Sequence, residues 1–378
     1  MTKERQHACE TGNQVKSWQG SNLRQDRPAH GADEFSCPQL DRGHASVETA
    51  GVSAPTVPKA PSFADIRRAA EAIAVHLPPT PAWSYPALDA VAGCEVVVKH
   101  ENTQPTGAFK VRGGIALAAT MPADQLARGL VTASTGNHAQ SIAYAARLAD
   151  TTATIVVPTS APTAKVDAVR LLGATVVTFG PTMTEAVAHA RRLADERGMS
   201  YVDPGNTPAI IAGHATVYVE LFRQRPDLEA VYVPIGSGSG AAGACLVRDE
   251  LAPHCLVVGV QSSAAPAAYR SWASRRAEAA PCLTRHSGLA TGHSFDLPQS
   301  VLAAGLVRFV LVGDDAIDRA VGLLAHKAHT LAEGAGAAAL AGLLHDDARP
   351  ARCAVVCTGG NASDDDLAAL QPSPLPPG

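Results

Sequence analysis

Short β-branched runs alternate with helically spaced stretches along most of this chain. The runs 94–99, 130–132, 153–157, 175–179, 230–235, 256–260, 307–312 and 353–357 are rich in Val, Ile and Thr and too short for helices, so each predicts a strand. Between them, 109–119, 137–148, 161–172, 184–197, 213–224, 242–251, 314–328 and 337–344 predict helices. This βαβ order predicts an α/β fold of mainly parallel sheets covered by helices on both faces. Ligands of such sheets belong at the carboxyl ends of the strands. Further upstream, 62–76 also has helical spacing, with Ser62 as an N-cap and Asp65 three positions on, and folded structure is expected from there. Residues 1–57 are polar and charged without a sustained period, which predicts a disordered or loosely attached extension. The Pro-rich stretch 371–378 predicts a flexible tail.

Composition narrows the class. A chain of 378 residues exceeds the usual size of one core, so one large or two cooperating domains are expected. Apolar residues make up 46% and aromatic residues 4%, the balance of an Ala/Val/Leu/Gly-rich α/β enzyme. A net charge of −4 with no basic stripe argues against nucleic acid as a partner. No run approaches the ~20 apolar residues that span a bilayer, and the N-terminus lacks the apolar segment of a signal peptide. A cytoplasmic protein with no membrane partner is expected. The eight cysteines are scattered without paired CxxC spacing, so neither a metal site nor a disulfide framework is indicated.

Four loops carry the candidate chemistry. After the strand 94–99, Pro105-Thr106-Gly107 breaks the run and delivers Lys110 into or beside the first turn of the next helix. An amine near free N–H groups and the positive end of a helix dipole is disfavoured in its charged form, and such a lysine can bond a carbonyl. The alternative is a solvated surface lysine. Ser134-Thr135-Gly136-Asn137-His138 joins a strand to a helix and offers N–H groups, hydroxyls and an amide to an anion, or simply caps the helix. Gly236-Ser237-Gly238-Ser239-Gly240 follows a clear strand, and successive N–H groups there form a nest for phosphate. Gly238, Gly240 and Gly243 also satisfy GxGxxG, but the next strand ends in Gln261 rather than the acid that would hold a ribose, so the nicotinamide reading falls away. Cys357-Thr358-Gly359-Gly360-Asn361 ends the last strand, where Thr358 can present a neutral hydroxyl to a ring nitrogen. Glu333, in AEGAG, is a further polar residue at a small-residue turn, or only a helix-end charge.

In that order, a lysine, a Ser/Thr/Asn loop, a glycine phosphate loop and a terminal hydroxyl resemble the fold-type II pyridoxal-phosphate enzymes, the tryptophan synthase β superfamily. The resemblance is to their threonine/serine dehydratase and serine racemase branch. It runs over 63–366 through QPTGAFKVRGG, STGNHAQS, VPTSAPTAKVDAVRLLGA, DPGN with IAGHAT, the Gly/Ser loop, EGAGAAALA and TGGN. It implies two domains, each with a mainly parallel twisted sheet flanked by helices, and pyridoxal 5'-phosphate in the cleft between them. The large cofactor-binding domain would span 58–128 and 207–370, and the small substrate-closing domain 129–206. The resemblance makes Lys110 the Schiff-base lysine that moves the α-proton, with Phe109 packed beside the ring. Asn137 would bond the phenolate oxygen, Gly236 to Gly240 with Ser237 and Ser239 would hold the phosphate, and Glu333 and Thr358 would complete the cofactor site. Ser134, Thr135, Asn137 and His138 would receive the substrate, together with Gly292 and His293.

The implied reaction is α,β-elimination from a β-hydroxy amino acid such as L-threonine or L-serine, giving a 2-oxo acid and ammonia. The alternatives are an unusual β-hydroxy amino acid (3-hydroxyaspartate or a hydroxyectoine-derived compound), racemisation, or β-replacement. Relatives imply a homodimer or homotetramer acting on a small amino acid. Three departures stand out. Thr135 replaces the Ala of dehydratases and the Ser of racemases, so racemisation is neither excluded nor favoured. Gln261 stands where relatives place an acidic cation ligand, which leaves no metal expected. Ala290-Thr291-Gly292-His293 stands where relatives show an Ala-Asp-Gly type of turn, and His293 implies an altered substrate pocket.

Overall fold

All eight predicted strands form, and their neighbours explain why they read as nearly unbroken apolar runs. The computed structural model describes residues 58–368 and 370, so the expectations for 1–57 and 371–378 lie outside the described residues. Among the described residues the strands are β1 (Ala82–Ser84), β2 (Glu95–His100), β3 (Leu130–Ala133), β4 (Ala153–Val157), β5 (Thr175–Thr178), β6 (Ser200–Tyr201), β7 (Ala230–Pro234), β8 (Leu256–Ser262), β9 (Arg308–Val312) and β10 (Arg352–Cys357). They make a six-stranded sheet in the order β1-β2-β10-β7-β8-β9 and a four-stranded sheet in the order β5-β4-β3-β6. Apart from the antiparallel edge pair β1–β2, every pairing is parallel. Strands covered on both faces have no solvent side on which to place polar residues, hence the continuous Val/Ile/Ala runs.

One face of the large sheet packs against the helices Phe63–Ala74, Lys110–Thr120, Pro208–Gln224 and Ser239–Leu251, and the other against Asp314–Ala328 and Gly334–Leu344. The small sheet is likewise covered on both faces, by Asn137–Leu148 on one and Met183–Arg197 on the other. The first helix is closed as its sequence predicts: Ser62 Oγ accepts from Asp65 N–H at 3.3 Å, and the Asp65 carboxylate accepts from Ser62 N–H at 2.8 Å.

Some elements differ from the expectation. β1 and β6 are three and two residues long and carry no readable period. The helix expected from Gly213 starts five residues earlier, at Pro208, where proline suits the first helical position. Gly213 is a contact point rather than a start: a Cβ there would lie 2.4 Å from the Arg112 carbonyl, so this helix meets Lys110–Thr120 backbone to backbone. The helices expected from 242 and 337 begin at Ser239 and Gly334, since glycine's low helix propensity hides their first turns.

Register fixes where the loops emerge. Cys357 of β10 sits opposite His100 of β2, and Cys353 of β10 pairs with Ala230 of β7, so the chain leaves all three strands at one edge. Residues 101–110, 358–361 and 235–240 therefore converge there. The loop 134–137 leaves the carboxyl end of β3 in the second sheet.

Candidate active site

Lys110 opens the helix Lys110–Thr120, and the turn before it is built to hold it. Gly107 has φ +67°, and a Cβ there would meet Asn361 Oδ1 at 2.5 Å, so only glycine makes this turn. The Phe109 N–H donates to the Thr358 carbonyl at 2.9 Å, and Ala108 forms a β-bridge with Gly359, tying the lysine turn to the end of β10. From the neighbouring helix Asn137–Leu148, the Ser141 hydroxyl donates to the Lys110 carbonyl at 2.5 Å. The Lys110 Nζ lies 5.1 Å from the Phe109 ring centroid. Burial lowers its pKa to about 8, while Glu333 opposes the shift. Burial is thus the cause of the weakened proton affinity that the sequence attributes to the helix start.

Two residues beyond Lys110, Arg112 is fully buried and carries a network of buried charges. It reaches Glu101 from Nε at 2.7 Å and Nη2 at 2.8 Å, and Glu220 from Nη1 at 2.6 Å and Nη2 at 2.9 Å. Lys99, also fully buried, donates to Glu220 at 2.7 Å and to the Thr80 carbonyl at 2.8 Å. Two cations face two carboxylates, so the buried charges are paired. The helix carrying Lys110 is pinned by this network.

The helix Ser239–Leu251 starts without a side-chain cap, and Gly238 before it is left-handed at φ +85°. Its first-turn N–H groups therefore point into the loop Gly236 to Gly240 with no side-chain acceptor, which suits an anion. Ser239 Oγ lies 3.0 Å from His214 Nδ1 and 3.1 Å from Ser237 Oγ. The His214 ring lies 4.5 Å from that of Phe109, tilted by 46°, and burial holds its pKa well below the usual value. A neutral, buried His214 links the phosphate-type loop to the lysine turn.

The loop after β3 is also uncapped. Neither Ser134 nor Thr135 caps the helix Asn137–Leu148, and the space beside Gly136 is open. Ser134 Oγ instead accepts from Gly136 N–H at 3.3 Å. His138 turns inward: its Nε2 is 3.2 Å from Thr132 Oγ1, which itself donates to the Val202 carbonyl at 2.7 Å. Thr132 has spent its one hydrogen, so His138 Nε2 carries the proton and donates. Burial and the nearby Lys110 depress its pKa to about 3. The ring of His138 is therefore neutral and faces the core, and what it offers the loop is its backbone N–H.

Asn137 stands between the two sheets. Its Nδ2 donates to Glu333 Oε1 at 2.6 Å, and its Oδ1 accepts from Asn361 Nδ2 at 2.8 Å. Glu333 is the N-cap residue of the helix Gly334–Leu344 and is buried, and burial raises its pKa to about 7 despite the Asn137 bond. Thr358 is buried, with its hydroxyl 3.2 Å from the Ala335 carbonyl, and no carboxylate stands in its place. Gly292 and His293 belong to a turn bridged to Ala279, and His293 lies against Phe295 at 4.8 Å. That turn reaches the glycine loop through Thr291 Oγ1, which donates to the Gly236 carbonyl at 3.2 Å. Gln261 is buried, with Oε1 accepting from Tyr269 N–H at 3.0 Å and Nε2 unpartnered.

The donor set fits pyridoxal phosphate. A buried, weakly basic amine stands for its aldehyde, a capless glycine-loop helix for its phosphate, and an oriented amide for its phenolic oxygen. Sequence reasoning missed Arg112, Ser141, His214 and Asn361 as parts of this arrangement. All four lie inside the quoted motifs, Arg112 in QPTGAFKVRGG, Ser141 in STGNHAQS, His214 in IAGHAT and Asn361 in TGGN, a signal that could have flagged them.

Comparison with known proteins gives the same answer. The family described as "Pyridoxal-phosphate dependent enzyme" matches residues 73–359. An L-threonine ammonia-lyase of Thermotoga maritima is 36% identical over 278 residues, covering 72% of this chain and 69% of that enzyme. An L-threo-3-hydroxyaspartate ammonia-lyase of a Pseudomonas species is 33% identical over 312 residues, covering 82% of this chain and 98% of that enzyme. Among solved structures, maize serine racemase superimposes with a TM-score of 0.78 at 28% identity, covering 82% of this chain and 96% of that one.

Proposed function

We propose, for a chain that belongs to the pyridoxal-phosphate dependent enzyme family, that it removes water from a β-hydroxy amino acid and releases a 2-oxo acid and ammonia. L-Threonine and L-serine are the default substrates. The observation that carries the reading is the meeting of the Lys110 amine, the capless glycine-loop helix and the Asn137 amide at the carboxyl ends of strands from both sheets.

When bound, pyridoxal phosphate supplies the electron sink that makes the α-proton of an amino acid removable. Lys110 would hold the cofactor through Nζ and, once displaced by substrate, take the α-proton on that atom; a pKa near 8 suits a base at neutral pH. Phe109, whose ring lies 4.5 Å from that of His214, would pack beside the cofactor ring. Gly236, Ser237, Gly238, Ser239 and Gly240 would receive the phosphate on N–H groups and hydroxyls, and Asn137 Nδ2 would donate to the phenolic oxygen. Thr358, whose hydroxyl donates to the Ala335 carbonyl at 3.2 Å, would turn that hydrogen to the ring nitrogen, and a neutral hydroxyl there leaves the nitrogen unprotonated and favours elimination over a long-lived carbanion. The N–H groups at 135–138, with Ser134 and Thr135, would take the substrate carboxylate, and Gly292 and His293 its side chain. The region 129–206 would close over the bound amino acid as the smaller domain. We place the enzyme in the cytoplasm as a homodimer or homotetramer; among the described residues no helix is long and apolar enough to cross a membrane.

A substrate with a second carboxylate is the second reading, favoured by the near full-length alignment with the 3-hydroxyaspartate ammonia-lyase. Assaying a panel of β-hydroxy amino acids for 2-oxo acid and ammonia tests both. Lys110→Ala should lower kcat at least a thousandfold and remove the visible absorbance of the bound cofactor. A variant that keeps that absorbance and its activity ends the assignment. Chiral analysis of recovered substrate reads racemisation by Thr135.

A further inference from the structure

We infer that Asn361 is a positioning residue that decides which way round the Asn137 amide stands. The argument rests on the reading above that Asn137 faces the cofactor. Asn361 Nδ2 lies 2.9 Å from the Thr106 carbonyl oxygen and 2.8 Å from Asn137 Oδ1. Amide nitrogen and oxygen look alike by shape, so their identity has to come from chemistry. A backbone carbonyl only accepts, which fixes nitrogen as the Asn361 atom facing Thr106. An amide nitrogen only donates, which fixes oxygen as the Asn137 atom facing Asn361. Asn137 Nδ2 is left pointing at Glu333, 2.6 Å away, with its second hydrogen free for the site.

Polarity thus starts at one backbone carbonyl in the lysine turn and passes through two amides to the donor that the cofactor meets. Glu333 cannot set it alone. An ionised carboxylate would demand a donor from Asn137, but near neutral pH Glu333 is partly protonated and can donate as well. In that state a free Asn137 could turn over and offer its carbonyl to the site. The space for Asn361 is reserved on the other side by Gly107, whose missing Cβ would stand 2.5 Å from Asn361 Oδ1. QPTG and TGGN are therefore parts of one device, although 250 and more residues separate them in the chain (|i−j| 255 from Thr106 to Asn361).

The test uses holoenzyme carrying Asn361→Asp or Asn361→Ala, with Asn137→Ala as the reference. Two readouts are taken: the dissociation constant for pyridoxal phosphate, and the pH titration of the bound cofactor's visible band. Aspartate fills the space of asparagine but cannot donate to Thr106 or Asn137 when ionised. Asn361→Asp should weaken cofactor binding roughly tenfold and move the titration up by about one pH unit, since a lost donor raises the proton affinity of an anionic oxygen. Asn361→Ala should match it or do less. If Asn361→Asp behaves like the parent while Asn361→Ala fails, the residue acts by filling space and the inference is overturned. If Asn137→Ala itself leaves the titration unmoved, the reading of Asn137 fails instead. Should neither Asn361 variant fold, neutron density of the parent holoenzyme decides: two deuterons on the Asn361 side-chain nitrogen, aimed at Thr106 and Asn137, are expected, and an oxygen in that place refutes the inference.

Discussion

Lys110 and Glu333 share a buried corner in which each works against its ordinary charge. Burial takes the amine down to about 8 and the carboxyl up to about 7, and each opposes the shift of the other. The consequence for stability has a definite sign. Folded Glu333 holds its proton more tightly than the unfolded carboxyl at 4.5, so it stabilises the fold below pH 4.5 and that contribution is lost as pH rises toward 7. Glu333→Gln keeps the acceptor for Asn137 and removes the ionisation. Between about pH 5 and pH 7.5, below the main titration of Lys110, the parent should lose about 2.4 kcal/mol relative to the variant. Denaturant unfolding of cofactor-free protein at both pH values measures it, and parallel pH dependences would contradict the burial argument. The same substitution takes a negative charge away from Lys110. The pH midpoint for capture of pyridoxal phosphate by the cofactor-free variant should therefore shift downward.

Among the elements, the helix Lys110–Thr120 explains how a reactive amine is kept in place. Its anchor is the guanidinium of Arg112, enclosed by Glu101 and Glu220. Replacing Arg112 by Met fills much of the volume but leaves buried Glu101 without its ion-pair partner and Lys99 as the one cation facing two carboxylates. The expected loss is about 3–5 kcal/mol, with activity falling as the first helical turn shifts. A urea titration of Arg112→Met against the parent checks this, and a loss under about 1 kcal/mol would mean that the network does not carry the helix. This anchor also marks the limit of what was legible in the chain. Lys110, the glycine loop and the loop 134–138 are contiguous motifs at strand ends, so spacing marks them as candidates, and only their order along the chain, read as a resemblance, gives them roles. The partners of Arg112 include Glu220, 108 positions away, and those of Asn361 lie further still. Period and propensity describe neighbours along the chain and carry no distance between remote side chains. His138 shows the other kind of miss: its place at a helix start suggested a ligand contact, but where its ring points is decided by Thr132 and Val202, in neighbouring elements.

At the scale of the molecule, the proposed site draws residues from both sheets, and substrate would enter between them. Partly buried links join the two sides, as between Asn137 and Glu333 or between Ser141 and the Lys110 carbonyl. One lies nearer the surface. Lys165, on the helix Thr163–Leu171 beside the small sheet, donates to Ser287 Oγ at 2.9 Å in the segment between β8 and β9. Its charge also favours the ionised form of Glu333, which puts it within electrostatic reach of the site. Ser287 precedes Gly288, whose carbonyl lies against Gly236 of the glycine loop: a Cβ on Gly236 would be 2.4 Å from it. If 129–206 closes over substrate, this contact would hold the outer edge of the closed form. An exposed hydrogen bond adds little to global stability, so Lys165→Met should change unfolding free energy by under about 0.5 kcal/mol. Its effect should fall on substrate retention, with KM rising roughly three- to tenfold and kcat changing less than about twofold. Steady-state kinetics on the substrate found in the panel assay separates the cases. An unchanged KM would place closure elsewhere, whereas a large loss of stability would make Lys165 a structural residue of its own sheet.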